Sequence, residues 1–416
     1  MHVSAAFALT NAYIFAAYII FAASYLVFAL GKFPGLKIDR TGAAIIGAIA
    51  MVAFRILPAG GALHAIDFAT VVLLFAMMLI VGTLHLAGFF QWTAQVVLHR
   101  LKPRYLLPAV IFTCGLLSAF FVNDVVCLVM VPLVLNITRR ARLRPLPFLL
   151  AVATASNIGS VATITGNPQN MLIGTYSGIG YRDFLFHLAP VSFLGLFLDW
   201  AILHWIHRKT LRPLSETAEA IAPVPAHQAS HLAKPLLVAL IVVAGFFFGV
   251  PPALMAALGA AMLLITRTGD PHKLYAEVDW GLLVFFVGLF VIVGGAENAG
   301  ITAKLLVFAH HWDLQQLGTF TAAVGVLSNI VNNVPAVMLL KTLPAGFANT
   351  HAAWLDLAMA STLAGNLTIT GSVANIIVVE TAKPSIEISF SDYFRVGVPV
   401  TLATMLVGWG WLSWVR

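Results

Sequence analysis

Long apolar runs separated by short polar segments dominate the pattern of this chain. An α-helix needs roughly 20 residues to cross a bilayer, and ten runs approach that length, so the pattern predicts an all-α integral membrane protein. The predicted spans are 10–30, 41–58, 67–90, 145–174, 184–207, 235–250, 251–267, 279–297, 351–379 and 391–414.

Two further apolar stretches, 105–138 and 314–343, carry proline and polar residues near their middles. Each is too long for one ordinary span and too short for two. Irregular backbone at membrane depth is tolerated only where protein or a water-filled cavity surrounds it. We therefore predict two re-entrant hairpins, each entering and leaving on one side of the membrane.

Three polar segments of the first half return in the same order in the second half. TITGNPQN (163–170) returns as TITGSVAN (368–375), 205 positions later. LSAFFVNDVV matches LSNIVNNVPA, and DFLFHLAPVS matches DYFRVGVPVT. Ordered matches of this kind indicate an internal repeat, predicted to comprise residues 1–208 and 234–416 with a cytoplasmic linker at 209–233.

Each predicted half crosses the membrane five times, an odd number, so the two halves should have opposite orientations. Inverted repeats are typical of secondary transporters, whose substrate site lies where the repeats meet. With both termini outside, 18 of the 23 lysines and arginines fall on the cytoplasmic side. This asymmetry follows the positive-inside rule.

Composition excludes an ordinary soluble protein, since 60% of the residues are hydrophobic and 9% are charged. The net charge of +7 lies in short loops, which favours membrane topology over a nucleic-acid partner. Cys114 and Cys127 lie in apolar segments and suggest neither a disulfide nor a zinc site. The sequence shows no Walker motif, metal-ligand cluster or nucleophile elbow, so no enzyme, cofactor or metal is predicted.

Gly166 and Pro168 should break the helix that contains the first octapeptide, because glycine relaxes the backbone and proline removes a donor. Gly371 should open the second, where Val373 replaces the proline and predicts a softer break. An unsatisfied backbone group in hydrocarbon costs several kcal/mol. Ligand, water or the facing hairpin should therefore meet the groups that are freed.

Neutral polar side chains gather at both breaks and both hairpin tips. We predict that they form a substrate cage, with helix–helix hydrogen bonding as the alternative reading of any single residue. The predicted substrate-binding residues are Ser118, Asn123, Thr163, Thr165, Asn167, Asn170, Ser328, Asn332, Asn333, Thr368, Thr370, Ser372 and Asn375.

Asp124 is the only acid at either tip, and its matched position is Val334. An ionisable residue within a membrane marks a functional site by default, because its insertion costs about 2.5–3.5 kcal/mol. We predict that Asp124 exchanges protons, and a structural aspartate bonded to the hairpin backbone is the alternative. Asp199, His204 and His207 have either an interfacial role or a place on a proton path.

The stretches SAFFVNDVVCLVMVPLVL and SNIGSVATITGNPQNMLIG resemble the ion-transporter superfamily, and most closely its arsenite/antimonite efflux permeases. Sodium/proton antiporters and dicarboxylate carriers are relatives. The resemblance implies a scaffold of early spans, a mobile subdomain that moves in elevator fashion, and a place in the cell inner membrane. It also implies a homodimer and a cytoplasmic ATPase partner.

The tips depart from the Ser-Asn-Thr of the dicarboxylate carriers, reading Val-Asn-Asp and Asn-Asn-Val. No lysine or arginine lies near either octapeptide to neutralise a carboxylate. The sequence therefore favours efflux of arsenite or antimonite, as neutral trihydroxy species, in exchange for protons. A sodium/proton antiporter and a channel for a small neutral solute are the alternatives.

Overall fold

The computed structural model describes residues 2–31, 37–98, 102–211, 232–265 and 270–415. Within these ranges the regular elements are twenty α-helices and short 3₁₀ turns, which confirms the all-α prediction. Most of the predicted linker, residues 212–231, lies outside the described residues.

The helices of the first half include two short ones, α3 and α5, that the sequence did not predict. The first-half helices are α1 (His2–Leu30), α2 (Arg40–Ala53), α3 (Ala59–Ala65), α4 (Phe68–Leu86), α5 (Phe89–Leu98), α6 (Leu106–Phe120), α7 (Asn123–Arg140), α8 (Leu146–Ser160), α9 (Pro168–Ser177) and α10 (Tyr181–His207).

In the described part of the chain, the second half also has ten helices in the same order, again with two unpredicted short helices, α13 and α15. Its helices are α11 (Ala233–Phe247), α12 (Pro252–Ile265), α13 (Pro271–Ala276), α14 (Trp280–Asn298), α15 (Ile301–His311), α16 (Leu317–Val331), α17 (Asn333–Leu340), α18 (Thr350–Ala364), α19 (Val373–Ala382) and α20 (Phe390–Trp414).

Five of the predicted spans are single helices long and apolar enough to cross a membrane, namely α1, α4, α10, α14 and α20. Two others are broken in the middle, as α8–α9 and α18–α19. The remaining three, α2, α11 and α12, have 14, 15 and 14 residues. At 1.5 Å per residue they are about 21–23 Å long, shorter than the bilayer core of about 30 Å.

Matching glycines explain why α5 and α15 are separate helices. Gly88 follows α4 and Gly300 follows α14, with φ angles of +84° and +75°. Glycine adopts this left-handed conformation without the steric cost that a Cβ imposes. The chain therefore turns at both positions, and a new helix begins at the next residue, Phe89 or Ile301.

Helices α6 and α8 run in the same direction. A Cβ on Gly159 would lie 2.1 Å from the Gly115 carbonyl oxygen, so the two backbones touch there. Four residues further along the chain in each case, with Thr163 just past the end of α8, the Thr163 hydroxyl donates to the Ala119 carbonyl. Residue numbers therefore rise together along this contact.

Helix α7 runs the opposite way along α8. Asn123 Nδ2 donates to Asn157 Oδ1 at 3.1 Å, and one turn later Cys127 Sγ lies 3.9 Å from the Val152 carbonyl oxygen. The α7 number rises while the α8 number falls, so α6 and α7 are antiparallel. They form a hairpin with its tip at residues 121–122, as the sequence predicts for the first re-entrant segment.

The second helix–turn–helix, α16–α17, turns at a single strained residue. Asn332 has φ +77° and ψ 163°, a region occupied almost only by glycine. Its own Oδ1 accepts from the Asn333 backbone N–H at 2.8 Å. A residue held in such a conformation costs of order 1–3 kcal/mol and is concentrated at functional sites.

The two halves pack reciprocally. Helix α2 packs on α14 while α12 packs on α4, and α6 packs on α8 as α16 packs on α18. Helices α10 and α20 pack on each other. Repeats related by a pseudo-two-fold axis produce such exchanged contacts, and the opposite orientation of the halves in a membrane stays a prediction.

Substitution of Gly159 by alanine should destabilise the protein by about 1–3 kcal/mol, because the new Cβ meets backbone that cannot move aside. Gly410→Ala, in α20, is the matched control because a Cβ there has nothing within 4 Å. Thermal unfolding in detergent checks both variants. Equal melting temperatures would contradict the close packing of α6 on α8.

Candidate substrate site at the two helix breaks

Both octapeptides interrupt a helix, as predicted. Helix α8 ends at Ser160 and α9 begins at Pro168, so residues 161–167 are not helical. Pro168 is the first residue of α9, where its missing N–H costs nothing, and Asn167 caps that helix by accepting from the Asn170 N–H at 2.8 Å. The break therefore precedes the proline, and the proline begins the next helix.

The second break is as complete as the first, so the softer break expected from Val373 is not observed. Helix α18 ends at Ala364, and only a 3₁₀ turn, Ile369–Gly371, precedes α19. Ser372 is extended, with φ −142° and ψ 145°, as Asn167 is with φ −155° and ψ 162°. An extended residue before the helix suffices to separate the two segments without a proline.

Gly166 and Gly371 allow two segments of backbone to approach closely. They are not needed for an unusual backbone conformation, since neither has a positive φ. A Cβ on Gly166 would lie 2.3 Å from the Ser160 carbonyl oxygen. A Cβ on Gly371 would lie 2.7 Å from Asn329 Oδ1 and 2.8 Å from the Gly365 carbonyl oxygen. Each glycine lets the extended segment fold back against the end of the preceding helix.

Asn170 satisfies backbone carbonyls that the first break exposes. Its Nδ2 donates to the carbonyl oxygens of Ser160 and Thr163, both at 3.0 Å. The side chain is fully buried, so these bonds replace the helical partners that the two carbonyls have lost. One amide group thus bridges the entry and the middle of the break.

Asn375 does the same in the second half. Its Nδ2 donates to the carbonyls of Gly365 at 2.7 Å and Thr368 at 3.0 Å. All three residues follow Asn170 and its acceptors by 205 positions. The repeated octapeptide therefore encodes the same local hydrogen-bonded structure twice.

Asn157, in α8, connects the two halves. Its Oδ1 accepts from Asn123 at 3.1 Å and from Ser372 Oγ at 3.0 Å. Its Nδ2 donates to Asn366 at 2.8 Å and to Asn375 at 3.0 Å. One fully buried side chain thus joins the first hairpin tip to the second break.

Thr362, in α18, occupies the matched position and makes the reciprocal contacts. Its hydroxyl accepts from Asn167 Nδ2 at 3.3 Å and from Gln169 Nε2 at 3.1 Å. Asn167 precedes Ser372 by 205 positions, just as Asn157 precedes Thr362. Each octapeptide therefore reaches the helix before the other break.

The hairpin tips contact the break of their own half. The Asn123 N–H donates to the Gly166 carbonyl at 3.0 Å, and Asn329 Nδ2 donates to the Ala364 carbonyl at 2.7 Å. Ser328 Oγ donates to the Ser361 carbonyl at 2.9 Å.

Asn333 joins the second tip to the first half. With its nitrogen donating to the Ser361 and Gly371 carbonyls, at 3.0 and 3.1 Å, its Oδ1 accepts from Gln169 at 3.2 Å. Tips and breaks thus form one connected cluster of neutral polar groups.

Four predicted residues keep a buried polar atom without a hydrogen-bond partner among the described residues. Buried polar groups nearly always pair with protein or ordered water. Each of these atoms can therefore take a hydrogen bond from, or give one to, a water or a bound molecule. They are Ser118 Oγ, Asn123 Oδ1, Asn170 Oδ1 and Asn332 Nδ2.

The predicted threonines divide into buried and open ones. Thr163 and Thr165 are fully buried, and Thr165 pairs with the Tyr181 hydroxyl at 3.0 Å. Thr368 is half-buried, whereas Thr370 is exposed and lies outside the buried network. A mostly apolar cleft of about 440 Å³ opens beside this second break and includes Asn329 in its wall.

Asp124 lies in the first turn of α7 and is half-buried. The helix N-terminus favours its negative charge. No ion pair to Asp124 is present within the described ranges. Asp199 is fully buried and accepts from Thr154 at 3.0 Å, so an interfacial role for it is excluded.

Sequence reasoning missed four polar residues that hold the site together. Asn157 and Thr362 lie inside helices, where a polar side chain reads as helix–helix glue. The sequence did carry one signal for them, because they occupy matched positions of the repeat, in ATASNIGS and AMASTLAG. The other two are Asn366, which joins Asn157, and Gln169, which joins Thr362.

Hairpins and broken helices that converge from two repeats define a membrane transporter of the secondary type. The chain belongs to the family described as the citrate transporter family, CitMHS, whose model matches residues 25–364. This membership confirms the predicted place in the ion-transporter superfamily.

Two relatives and one solved structure are similar to this chain over most of its length. "Putative transporter arsB" of Dictyostelium discoideum is 26% identical over 90% of this chain and 87% of its own length. The "Silicon efflux transporter LSI3" of Oryza sativa subsp. japonica is 29% identical over 90% and 92%. The crystal structure of the Alcanivorax borkumensis YdaH transporter, described as having an unusual topology, matches with a TM-score of 0.61 at 14% identity, covering 98% of both chains.

Asn157→Ala should abolish most transport while the protein still folds in the membrane. The substitution removes a hydrogen-bond partner from each of Asn366, Asn375 and Ser372. Each buried polar group left unsatisfied costs about 1–3 kcal/mol. Asn136→Ala, an exposed position on α7, is the control. Transport rates in proteoliposomes and thermal unfolding measure the two effects, and unchanged transport by Asn157→Ala would count against the site.

Proposed function

We propose that this transporter exports arsenite or antimonite from the cytoplasm in exchange for protons. The substrate is the uncharged trihydroxy form, and the protein lies in the cell inner membrane with both termini outside. The two repeats have opposite orientations, and a mobile subdomain of hairpins, broken helices and last spans carries the substrate in elevator fashion.

The absence of cationic side chains at the site carries this proposal. Segments 118–124, 157–170, 328–333 and 361–375 contain no lysine or arginine. A carboxylate substrate such as citrate calls for charge-assisted bonds, most often from arginine. A neutral trihydroxide needs only donors and acceptors, which the amides and hydroxyls of this cluster supply.

The unpartnered atoms suit such a molecule. Ser118 Oγ and Asn123 Oδ1 can accept from substrate hydroxyls, and Asn332 Nδ2 can donate to a substrate oxygen. The names of two relatives, arsB and a silicon efflux transporter, favour an element that forms uncharged hydroxides in water. The family description, citrate transporter, favours a carboxylate and makes citrate a necessary competitor in any test.

Asp124 supplies the proton exchange in this proposal. Its half-buried carboxylate lies one residue from Asn123, so protonation at this tip changes the charge beside the substrate. Each proton that enters with the membrane potential contributes about 2.3 kcal/mol per 100 mV. That energy corresponds to between one and two decades of concentration gradient, because about 1.4 kcal/mol is one decade.

A sodium/proton antiporter is the second candidate, and the chemistry of the free atoms favours it. Three of the four unpartnered atoms, on Ser118, Asn123 and Asn170, are oxygens, the hard ligands that such a cation prefers. Together with Asp124, these oxygens supply the donors of a cation site. The homodimer and the ATPase partner implied by the family resemblance stay predictions.

Uptake of arsenite and of sodium into everted membrane vesicles or proteoliposomes, under an imposed pH gradient, separates the candidate functions. We expect arsenite to accumulate only with the gradient, while unlabelled citrate fails to compete and Na⁺ has no effect. Arsenite that equilibrates without proton coupling would indicate a channel. Proton-driven sodium uptake without arsenite uptake would replace the proposal with the antiporter, and citrate uptake would refute the neutral-substrate argument.

Asp124→Asn should abolish gradient-driven accumulation and leave arsenite exchange at equal pH within a few-fold of wild type. The amide keeps the size and the polarity of the side chain but cannot exchange a proton. Asp313→Asn, at an exposed turn, is the control and should accumulate arsenite normally. Full accumulation by Asp124→Asn would exclude this residue as the proton carrier.

A further inference from the structure

A second cluster of ionisable side chains lies away from the helix breaks, where the first turns of α10 and α18 meet. Asp183 Oδ2 lies 2.7 Å from His351 Nε2, and Asp183 Oδ1 lies 3.0 Å from His187 Nδ1. One ligand atom from each residue lies within 4.8 Å of the other two. The cluster joins the first half of the chain to the second.

The fold itself does not require these residues, because the matched positions of the repeat lack them. Asp392 matches Asp183, but its carboxylate is used locally in a capping box with Ser389, with Oγ and Oδ2 2.6 Å apart. The positions that match His187 and His351 are Val396 and Leu146. Two histidines facing one aspartate are therefore specific to one end of the molecule.

We propose that Asp183, His187 and His351 bind a divalent zinc ion or a similar borderline transition-metal ion. Two imidazoles and one carboxylate are an established donor set for zinc, with bonds of about 2.0–2.2 Å. A tetrahedral site with such bonds separates its ligand atoms by about 3.3 Å. The carboxylate–imidazole contacts of 2.7 and 3.0 Å are a few tenths of an ångström shorter than this separation, and the two imidazole nitrogens lie within 4.8 Å of each other.

The backbone around His187 holds one side of the site in place. The Trp411 Nε1 donates to the His187 carbonyl at 2.8 Å, which ties α10 to α20. The three side chains are 26–46% exposed, so the ion can enter from water and can keep a water molecule as a fourth ligand.

The bound ion fastens α10 of the first repeat to α18 of the second. Both helices belong to the proposed mobile subdomain, so the ion stiffens that body without fixing it to the scaffold. The alternative is a hydrogen-bonded clasp, in which the carboxylate of Asp183 bridges the two imidazoles and no metal takes part.

Zinc titration of tag-free, chelator-treated protein in detergent tests the proposal. We expect zinc to raise the melting temperature of the wild type by several degrees at a hundredfold excess over the dissociation constant, since a ligand that binds only the folded state stabilises it. We expect His351→Gln and Asp183→Asn to lose this shift. Asp392→Asn and His272→Gln, the latter at an exposed histidine, should keep it.

Cobalt binding to the wild type gives a second measurement that does not depend on the folding of any variant. One equivalent of Co²⁺ with the intense visible bands of a four-coordinate site, displaced by Zn²⁺, would support the proposal. Absence of a zinc-dependent shift in the wild type would overturn it. A zinc-dependent shift that persists in His351→Gln would also overturn it. Variants that are destabilised by the same amount with and without zinc would overturn it as well and would support the hydrogen-bonded clasp.

Discussion

Backbone groups freed by the two helix breaks must find partners inside the protein, and the rest of the structure depends on this constraint. In hydrocarbon each group left unsatisfied costs several kcal/mol. Asn170 and Asn375 each bridge two carbonyls of their own break. Because one amide satisfies two acceptors, a break needs few side chains, and the remaining polar atoms are available to a bound molecule.

The same constraint explains why the halves interlock. A break closed only by its own half would need no partner, yet Asn157 and Thr362 each receive donors from the opposite octapeptide. The resulting contacts cross the pseudo-two-fold axis in both directions. They differ in exposure, because the first break is buried whereas Thr370 of the second is exposed. Related sequences in two environments are what alternating access requires of its repeats.

The sequence predicted most of the helices and both breaks, because glycine, proline and repeated polar residues act locally. It could not predict that Gly166 and Gly371 serve close approach, since that depends on how the chain folds back. The short helices α5 and α15, of 10 and 11 residues, were missed because each is too short to be read as a membrane span. The prediction of no metal-ligand cluster rested on local spacing, whereas His187 and His351 come together only where the two folded halves pack on each other.

The site combines near-symmetry in its neutral groups with asymmetry in its charge. Amides and hydroxyls from both halves can present similar donors and acceptors to a neutral solute from either side. Asp124, matched by the buried Val334, places the one acid of the two tips on the first hairpin. In a symmetric pair of acids one charge would oppose the other, and both would have to be neutralised before the site could close. In the proposed exchange, a single acid lets one proton change the charge of the site, and that is the least asymmetry by which a proton gradient could drive an uncharged molecule.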